Sequence, residues 1–245
     1  MANPSPKEEV CPICKGAKCV HPRKLDGNPD YSRVVPCECV ADEVEHRKRE
    51  VYLKNCQLPE NEESKRMTFK GFRVRAHTLD DKVYKEALAA AKELAGGKGI
   101  KWLTLLGSVD QGKTHLAVAI CRHWLERGLA ARYAQVPLML DELRNSFKEE
   151  GEDSYQARLK FLCEVELLVL DDLGVEKPTD FTREKLTTII DYRYIHGLPL
   201  VVTMNQEINN IPGDEEHRIA SRLQRFEPGR VLALAGPEYR LRKGR

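Results

Sequence analysis

Gly107-Ser108-Val109-Asp110-Gln111-Gly112-Lys113-Thr114 is the stretch whose reading decides the fold of this 245-residue chain. It fits the phosphate-loop pattern G-x-x-x-x-G-K-[ST]. Immediately before it, Lys101-Trp102-Leu103-Thr104-Leu105-Leu106 reads as a short buried strand. After it, Leu116, Ala117, Ile120, Cys121 and Trp124 recur at helical spacing, and Gly128 stands where a C-terminal cap belongs. Strand, glycine loop and helix together supply what nucleotide phosphates require. Successive backbone N–H groups and a helix N-terminus offer partial positive charge. Lys113 is placed to reach the β- and γ-phosphates, and the Thr114 hydroxyl to hold Mg²⁺. Asp110 stands where many phosphate loops have glycine. Its carboxylate has to turn away from the nucleotide's own charge, although aspartate tolerates the left-handed backbone angles of such a loop.

The next decisive run is Leu167-Leu168-Val169-Leu170-Asp171-Asp172. Continuous apolar residues suit a strand buried on both faces of a parallel sheet. Two carboxylates at its end fall where open α/β sheets build their sites. This is a Walker B reading: Asp171 positions Mg²⁺, largely through water, and Asp172 polarises an attacking water. Leu198 to Thr203 is another buried strand, ending in Met204-Asn205, where the Asn205 amide can sense a γ-phosphate. Taken alone, Asp-Asp-Leu-Gly and the strand-end asparagine also suit turns.

Other elements follow from patterning. Asp80 and Asp81 can cap a helix to about Leu94, ended by Gly96-Gly97. Ala131 to Val136 reads as a strand, Pro137 starts a helix through Glu150, and Tyr155 to Cys163 is helical. A helix runs from Thr182 to about His196, and Val231 to Leu234 is a last strand. Strands alternating with helices around a phosphate loop give a three-layer α/β fold with a mainly parallel sheet.

Six of the eight cysteines lie before residue 57: Cys11, Cys14, Cys19, Cys37, Cys39 and Cys56. The N-terminal stretch carries no apolar export signal and no segment is apolar enough for a membrane span, so a cytoplasmic setting with metal rather than disulfides is expected. Cys11-Pro12-Ile13-Cys14 and Cys37-Glu38-Cys39 can close a Cys₄ zinc site, with Cys19 and His21 as substitutes for one ligand. Four thiolates leave no open coordination position, so the role is structural. Residues 1–56 read as this zinc module, 57–66 as a polar linker and 67–245 as the nucleotide-binding domain. The formal charge of +2 gives no chain-wide nucleic-acid signal. The basic end, Arg240, Arg242, Lys243 and Arg245, reads as a solvated tail.

Over about residues 67 to 242 the chain resembles the DnaC-like helicase loaders of the AAA+ superfamily, a group that also holds the IstB transposition ATPases. The resemblance is carried by Met67-Thr68-Phe69-Lys70-Gly71-Phe72, by Gly112-Lys113-Thr114-His115-Leu116-Ala117 and by Leu140-Asp141-Glu142-Leu143-Arg144. It continues through Leu170-Asp171-Asp172-Leu173-Gly174, Thr203-Met204-Asn205, Arg218-Ile219-Ala220-Ser221-Arg222-Leu223 and Gly236-Pro237-Glu238-Tyr239-Arg240. It implies ATP hydrolysis at a subunit interface, with self-association through the ATP site. Arg222 would reach a neighbour's γ-phosphate, with Arg218 nearby and Arg240 in a sensor 2 role; His115 belongs to the extended phosphate loop. It also implies a replicative hexameric helicase held by the N-terminal module, and single-stranded DNA. The rival readings are a transposition helper and a nucleotide-gated binding module with little turnover.

Overall fold

A computed structural model describes residues 10–73, 81–147 and 151–235. Asp80, Glu150 and the closing motif with Arg240 lie outside the described residues. The chain divides into two compact units, Met1–Val51 and Tyr52–Arg245.

In the first unit, the short strands β1 (Cys19–Val20) and β2 (Val35–Pro36) pair antiparallel, Cys19 opposite Pro36 and Val20 opposite Val35. Between them the chain reverses at Asp26-Gly27-Asn28. The Asn28 N–H donates to Asp26 Oδ1 at 3.0 Å, and Gly27 takes φ +82°, the side-chain-to-backbone closure that makes such turns. Helix α1 (Ala41–Cys56) follows, charged along most of its length; it starts in this unit, and its residues from Tyr52 onward belong to the second.

The second unit holds a five-stranded sheet: β3 (Trp102–Leu106), β4 (Ala131–Gln135), β5 (Leu167–Leu173), β6 (Leu200–Met204) and β7 (Gly229–Ala233). The order is β4-β5-β6-β3-β7 and every pairing is parallel. Side chains alternate across the sheet. Leu103, Leu105, Val169 and Val201 pack on one face with helices α3 (Asp81–Ala95) and α4 (Lys113–Glu126). Trp102, Leu168, Leu170, Leu200 and Val202 pack on the other with α5 (Val136–Asn145), α6 (Glu152–Glu164), α7 (Asp180–His196) and α8 (Arg218–Arg225). This is the expected three-layer architecture. Each wholly buried leucine or valine adds about 1.5–3 kcal/mol of transfer free energy.

One segment differs from its sequence patterning. Residues 57–66 contain a helical turn, α2 (Glu62–Lys65), because the Asn61 side chain caps it by accepting from the Ser64 N–H at 2.7 Å. Ser64 is buried, and its carbonyl accepts from Arg122 on α4 at 3.0 Å. The Met67–Phe72 segment folds as turns: the Phe72 N–H bonds back to the Thr68 carbonyl at 3.1 Å, while Met67, Phe69 and Phe72 pack on the α3–α4 side of the core.

Arg193 on α7 is wholly buried. Its guanidinium donates to the carbonyls of Leu162, Cys163 and Val165 at the end of α6, and to those of Glu166 and Pro199. Those α6 carbonyls have no helical partner of their own. Burial pushes the Arg193 pKa down to about 9, and the five carbonyls are what make a buried cation tolerable.

Candidate functional site

The phosphate loop leaves β3 and enters α4. Its backbone departs from ordinary angles at three places: Gly107 (φ +142°), Asp110 (φ +67°) and Gly112 (φ +81°). A Cβ on Gly107 would collide with the Leu234 carbonyl, and one on Gly112 would stand 2.8 Å from Phe72 Cε2. Both positions need glycine for space as well as for angle. Asp110 does adopt the left-handed conformation, so the loop keeps its shape despite the missing glycine. Ser108 and Val109 are exposed, while Gln111 is buried.

Lys113 is 5% exposed and folds back over the loop, donating to the carbonyls of Gly107 at 2.9 Å and Ser108 at 2.7 Å. Burial lowers its pKa, opposed by the charges of Asp172, Asp171 and Asp110. His115, one turn into α4, bonds through Nε2 to the Thr68 carbonyl at 2.8 Å, and its ring meets the edge of Phe72. It thereby ties the Met67–Phe72 segment to the loop.

Asp171 is wholly buried on β5 and accepts from three hydroxyls. Thr114 reaches Oδ1 at 3.2 Å, Thr203 reaches Oδ1 at 2.5 Å, and Tyr133 reaches Oδ2 at 2.5 Å. Burial raises its pKa; the hydrogen bonds from Thr203 and Tyr133 oppose that shift. Asp172 has φ +59° at an irregularity of the β5–β6 ladder. This kink turns it out of the strand's alternation, leaving it half-buried beside the sheet end. Its N–H donates to Thr203 Oγ1 at 3.0 Å, and its Oδ1 lies 3.4 Å from Asn205 Nδ2. The strand order explains the meeting: β6 lies between β3 and β5, so Asn205 follows the strand flanked by the phosphate loop and the paired carboxylates.

The fold thus brings Lys113, Thr114, Asp171, Asp172 and Asn205 to the ends of three adjacent strands. Arg218 and Arg222 are not part of this cluster. On α8, Arg218 Nη2 and Arg222 Nε both donate to Asp191 of α7, the latter at 3.0 Å. Sequence reasoning missed Tyr133, Thr203 and Asp191. Tyr133 and Asp191 lie in no motif, and Thr203 reads as the last residue of a strand.

In the first unit, Cys11, Cys14, Cys37 and Cys39 place their four Sγ atoms within 4.8 Å of one another. Cys11 and Cys37 are 3.8 Å apart, Cys14 and Cys39 3.6 Å. A disulfide requires about 2.05 Å, whereas zinc–thiolate bonds of about 2.3 Å in a tetrahedron put sulfurs about 3.8 Å apart. The thiols therefore fit a Cys₄ metal centre and not a pair of disulfides. Backbone N–H groups of Cys14 and Ile13 lower the Cys11 pKa to about 7, while desolvation and the neighbouring thiols raise Cys39 to about 12. Cys19 is exposed and outside the cluster, and His21 Nδ1 lies 2.9 Å from the Arg33 carbonyl. The two substitutes are thus not among the grouped ligands.

A parallel sheet ordered in this way, with a glycine loop, a buried lysine and paired aspartates at its strand ends, defines a phosphate-loop nucleotide-binding protein of the AAA+ type. The chain belongs to the IstB-like ATP binding protein family, whose family model matches residues 38–243. Among curated proteins it is 31% identical over 159 residues to an insertion-sequence protein of Mycobacterium tuberculosis named for ATP binding, covering 64% of this chain and 61% of that one. It is 29% identical over 150 residues to the replicative helicase loader DnaI of Bacillus subtilis, covering 58% and 46%. It is 27% identical over 118 residues to the replicative helicase loader DnaC of Escherichia coli, covering 48% of each. The chain thus spans less than two thirds of these relatives, and about half of the two loaders. Among solved structures, a DnaC helicase loader superposes with a TM-score of 0.60 at 23% identity, covering 71% of this chain and all of that one. Domain III of the Thermotoga maritima replication initiator DnaA also gives 0.60, at 26% identity, covering 76% and 72%. Among the described residues, no helix is long and apolar enough to cross a membrane.

Proposed function

We propose that this protein is an ATP-hydrolysing loader that delivers a hexameric replicative helicase to single-stranded DNA. The observation that carries the reading is the presence, in one chain, of a hydrogen-bonded phosphate-loop site and a separate four-thiol module. The donor set fits ATP with Mg²⁺. Lys113 exchanges its two loop carbonyls for β- and γ-phosphate oxygens. Thr114 and Asp171 would hold Mg²⁺, and its positive charge would offset the negative charge that builds on the phosphate oxygens. Asp172 orients the attacking water and accepts its proton as the water oxygen bonds to the γ-phosphorus and the bond to the departing ADP oxygen breaks. Asn205, next to Asp172, reads the γ-phosphate. Arg222 acts in trans on a neighbouring subunit's nucleotide, with Arg218 beside it and Arg240 as sensor 2. Cys11, Cys14, Cys37 and Cys39 bind one structural Zn²⁺ and shape the surface that grips the helicase.

The test is co-purification of the full chain with the replicative helicase of its own host or phage, with and without ATP. A nucleotide-sensitive complex that needs residues 1–56 is expected. No complex in either condition overturns the loader reading. Lys113→Ala should abolish ATP binding and turnover; unchanged turnover would place the ATP site elsewhere.

A second reading is supported by the likeness to an insertion-sequence protein: a transposition helper that acts on duplex DNA with a transposase. A transposase used as bait in the same experiment separates the two.

A further inference from the structure

Arg218 and Arg222, one helical turn apart on α8, converge on a single carboxylate. Arg222 Nε donates to Asp191 Oδ1 at 3.0 Å and Arg218 Nη2 donates to Oδ2. The Arg222 guanidinium carbon also lies 4.6 Å from the centre of the Tyr194 ring. The Asp191 side chain is 16% exposed, against 36% for that of Arg222. Asp191 and Tyr194 both belong to α7, which packs against α8 through the core on that face of the sheet.

We propose that Asp191 is the positioning residue of the arginine finger; the proposal rests on the assignment of Arg222 to that role. A long arginine side chain samples many rotamers, and a finger must present its guanidinium in one of them. Asp191 binds Arg222 through Nε, and the Tyr194 face supports the guanidinium plane by a cation–π contact. The Nη1 and Nη2 groups, the pair suited to forked recognition of phosphate oxygens, make no hydrogen bond among the described residues. Charge is preserved as well: two guanidinium groups share one carboxylate, so the cluster keeps one net positive charge to offer a γ-phosphate. Held by Asp191 alone, Arg222 would be neutralised; Arg218 supplies the excess.

A mixing experiment with full-length chains tests this. A Lys113→Ala chain lacks a working pocket but keeps its finger, and an Arg222→Ala chain keeps its pocket but lacks the finger. Mixed in the presence of ATP and single-stranded DNA, they should regain turnover that neither has alone. Adding Asp191→Asn to the Lys113→Ala donor should then cut the regained turnover at least fivefold, and Asp191→Glu should recover part of it. Single Asp191→Asn chains should bind a fluorescent ATP analogue as wild type does, showing an intact fold and pocket. A merely structural role would move that binding too. If the Asp191→Asn donor complements fully, Asp191 does not position the finger and this proposal falls while the finger stands. If Arg222→Ala alone turns over like wild type, or mixing restores nothing, the finger assignment falls and takes the proposal with it.

Discussion

Tyr133 on β4 donates a 2.5 Å hydrogen bond to Asp171 on the neighbouring strand β5, although its backbone register partner is Val169. The phenol reaches two residues forward along the sheet, about 6.6 Å at the usual rise per residue, to the one carboxylate oxygen that neither threonine touches. Tyr133→Phe keeps the ring packing and deletes that donor. A buried acceptor left short of a partner costs about 1–3 kcal/mol, so the variant should unfold at lower urea. An unchanged midpoint would mean that water replaces the phenol.

Asp171 also makes stability depend on pH in an unusual direction. Burial holds its folded pKa above the unfolded value of about 3.9. The folded chain therefore binds this proton more tightly than the unfolded chain does. Its contribution is fully present below the unfolded pKa and is lost as pH rises through the raised folded value. Asp171→Asn removes the buried charge. It should abolish turnover yet melt at or above the wild-type temperature at pH 7, with the difference shrinking toward pH 4. A lower melting temperature at pH 7 would mean that the three hydroxyl bonds outweigh the cost of burial.

Gly112→Ala should act on two grounds. An alanine at φ +81° pays about 1–2 kcal/mol for a left-handed backbone, and its methyl would push Phe72 aside. We expect at least a tenfold loss of affinity for a fluorescent ATP analogue. Gly27→Ala provides the control, since its φ is +82° with no atom within 4 Å of the new methyl; it should leave nucleotide affinity unchanged.

The four-thiol centre predicts a sharp division among the cysteines. Cys14→Ser or Cys39→Ser should lower bound zinc well below one per chain, measured by elemental analysis after dialysis. Cys19→Ser and His21→Ala should leave it at one. Equal losses from Cys19→Ser would redraw the ligand set.

The phosphate loop, the β5 aspartates and the cysteine pairs were legible because each is a local pattern: its chemistry lies within a few consecutive residues. The buried strands were legible from unbroken apolar runs such as Leu167 to Leu170. What surrounds the site was not. Tyr133 and Asp171 are 38 residues apart, and Arg222 and Asp191 are 31; only strand order and helix packing bring them together. Arg193 is a similar case. A lone arginine in a helix reads as surface charge until its carbonyl partners, up to 31 residues away, are in place.

Thr203 carries one more consequence. Its single hydroxyl donates to Asp171 and accepts from the Asp172 N–H, while Asn205 stands two residues further on. The tips of β5 and β6 are therefore riveted: neither strand can slide along the other without breaking both bonds at once. Any movement driven by the nucleotide has to be taken up by loops and helices around this fixed joint, which makes the joint the reference frame of the machine.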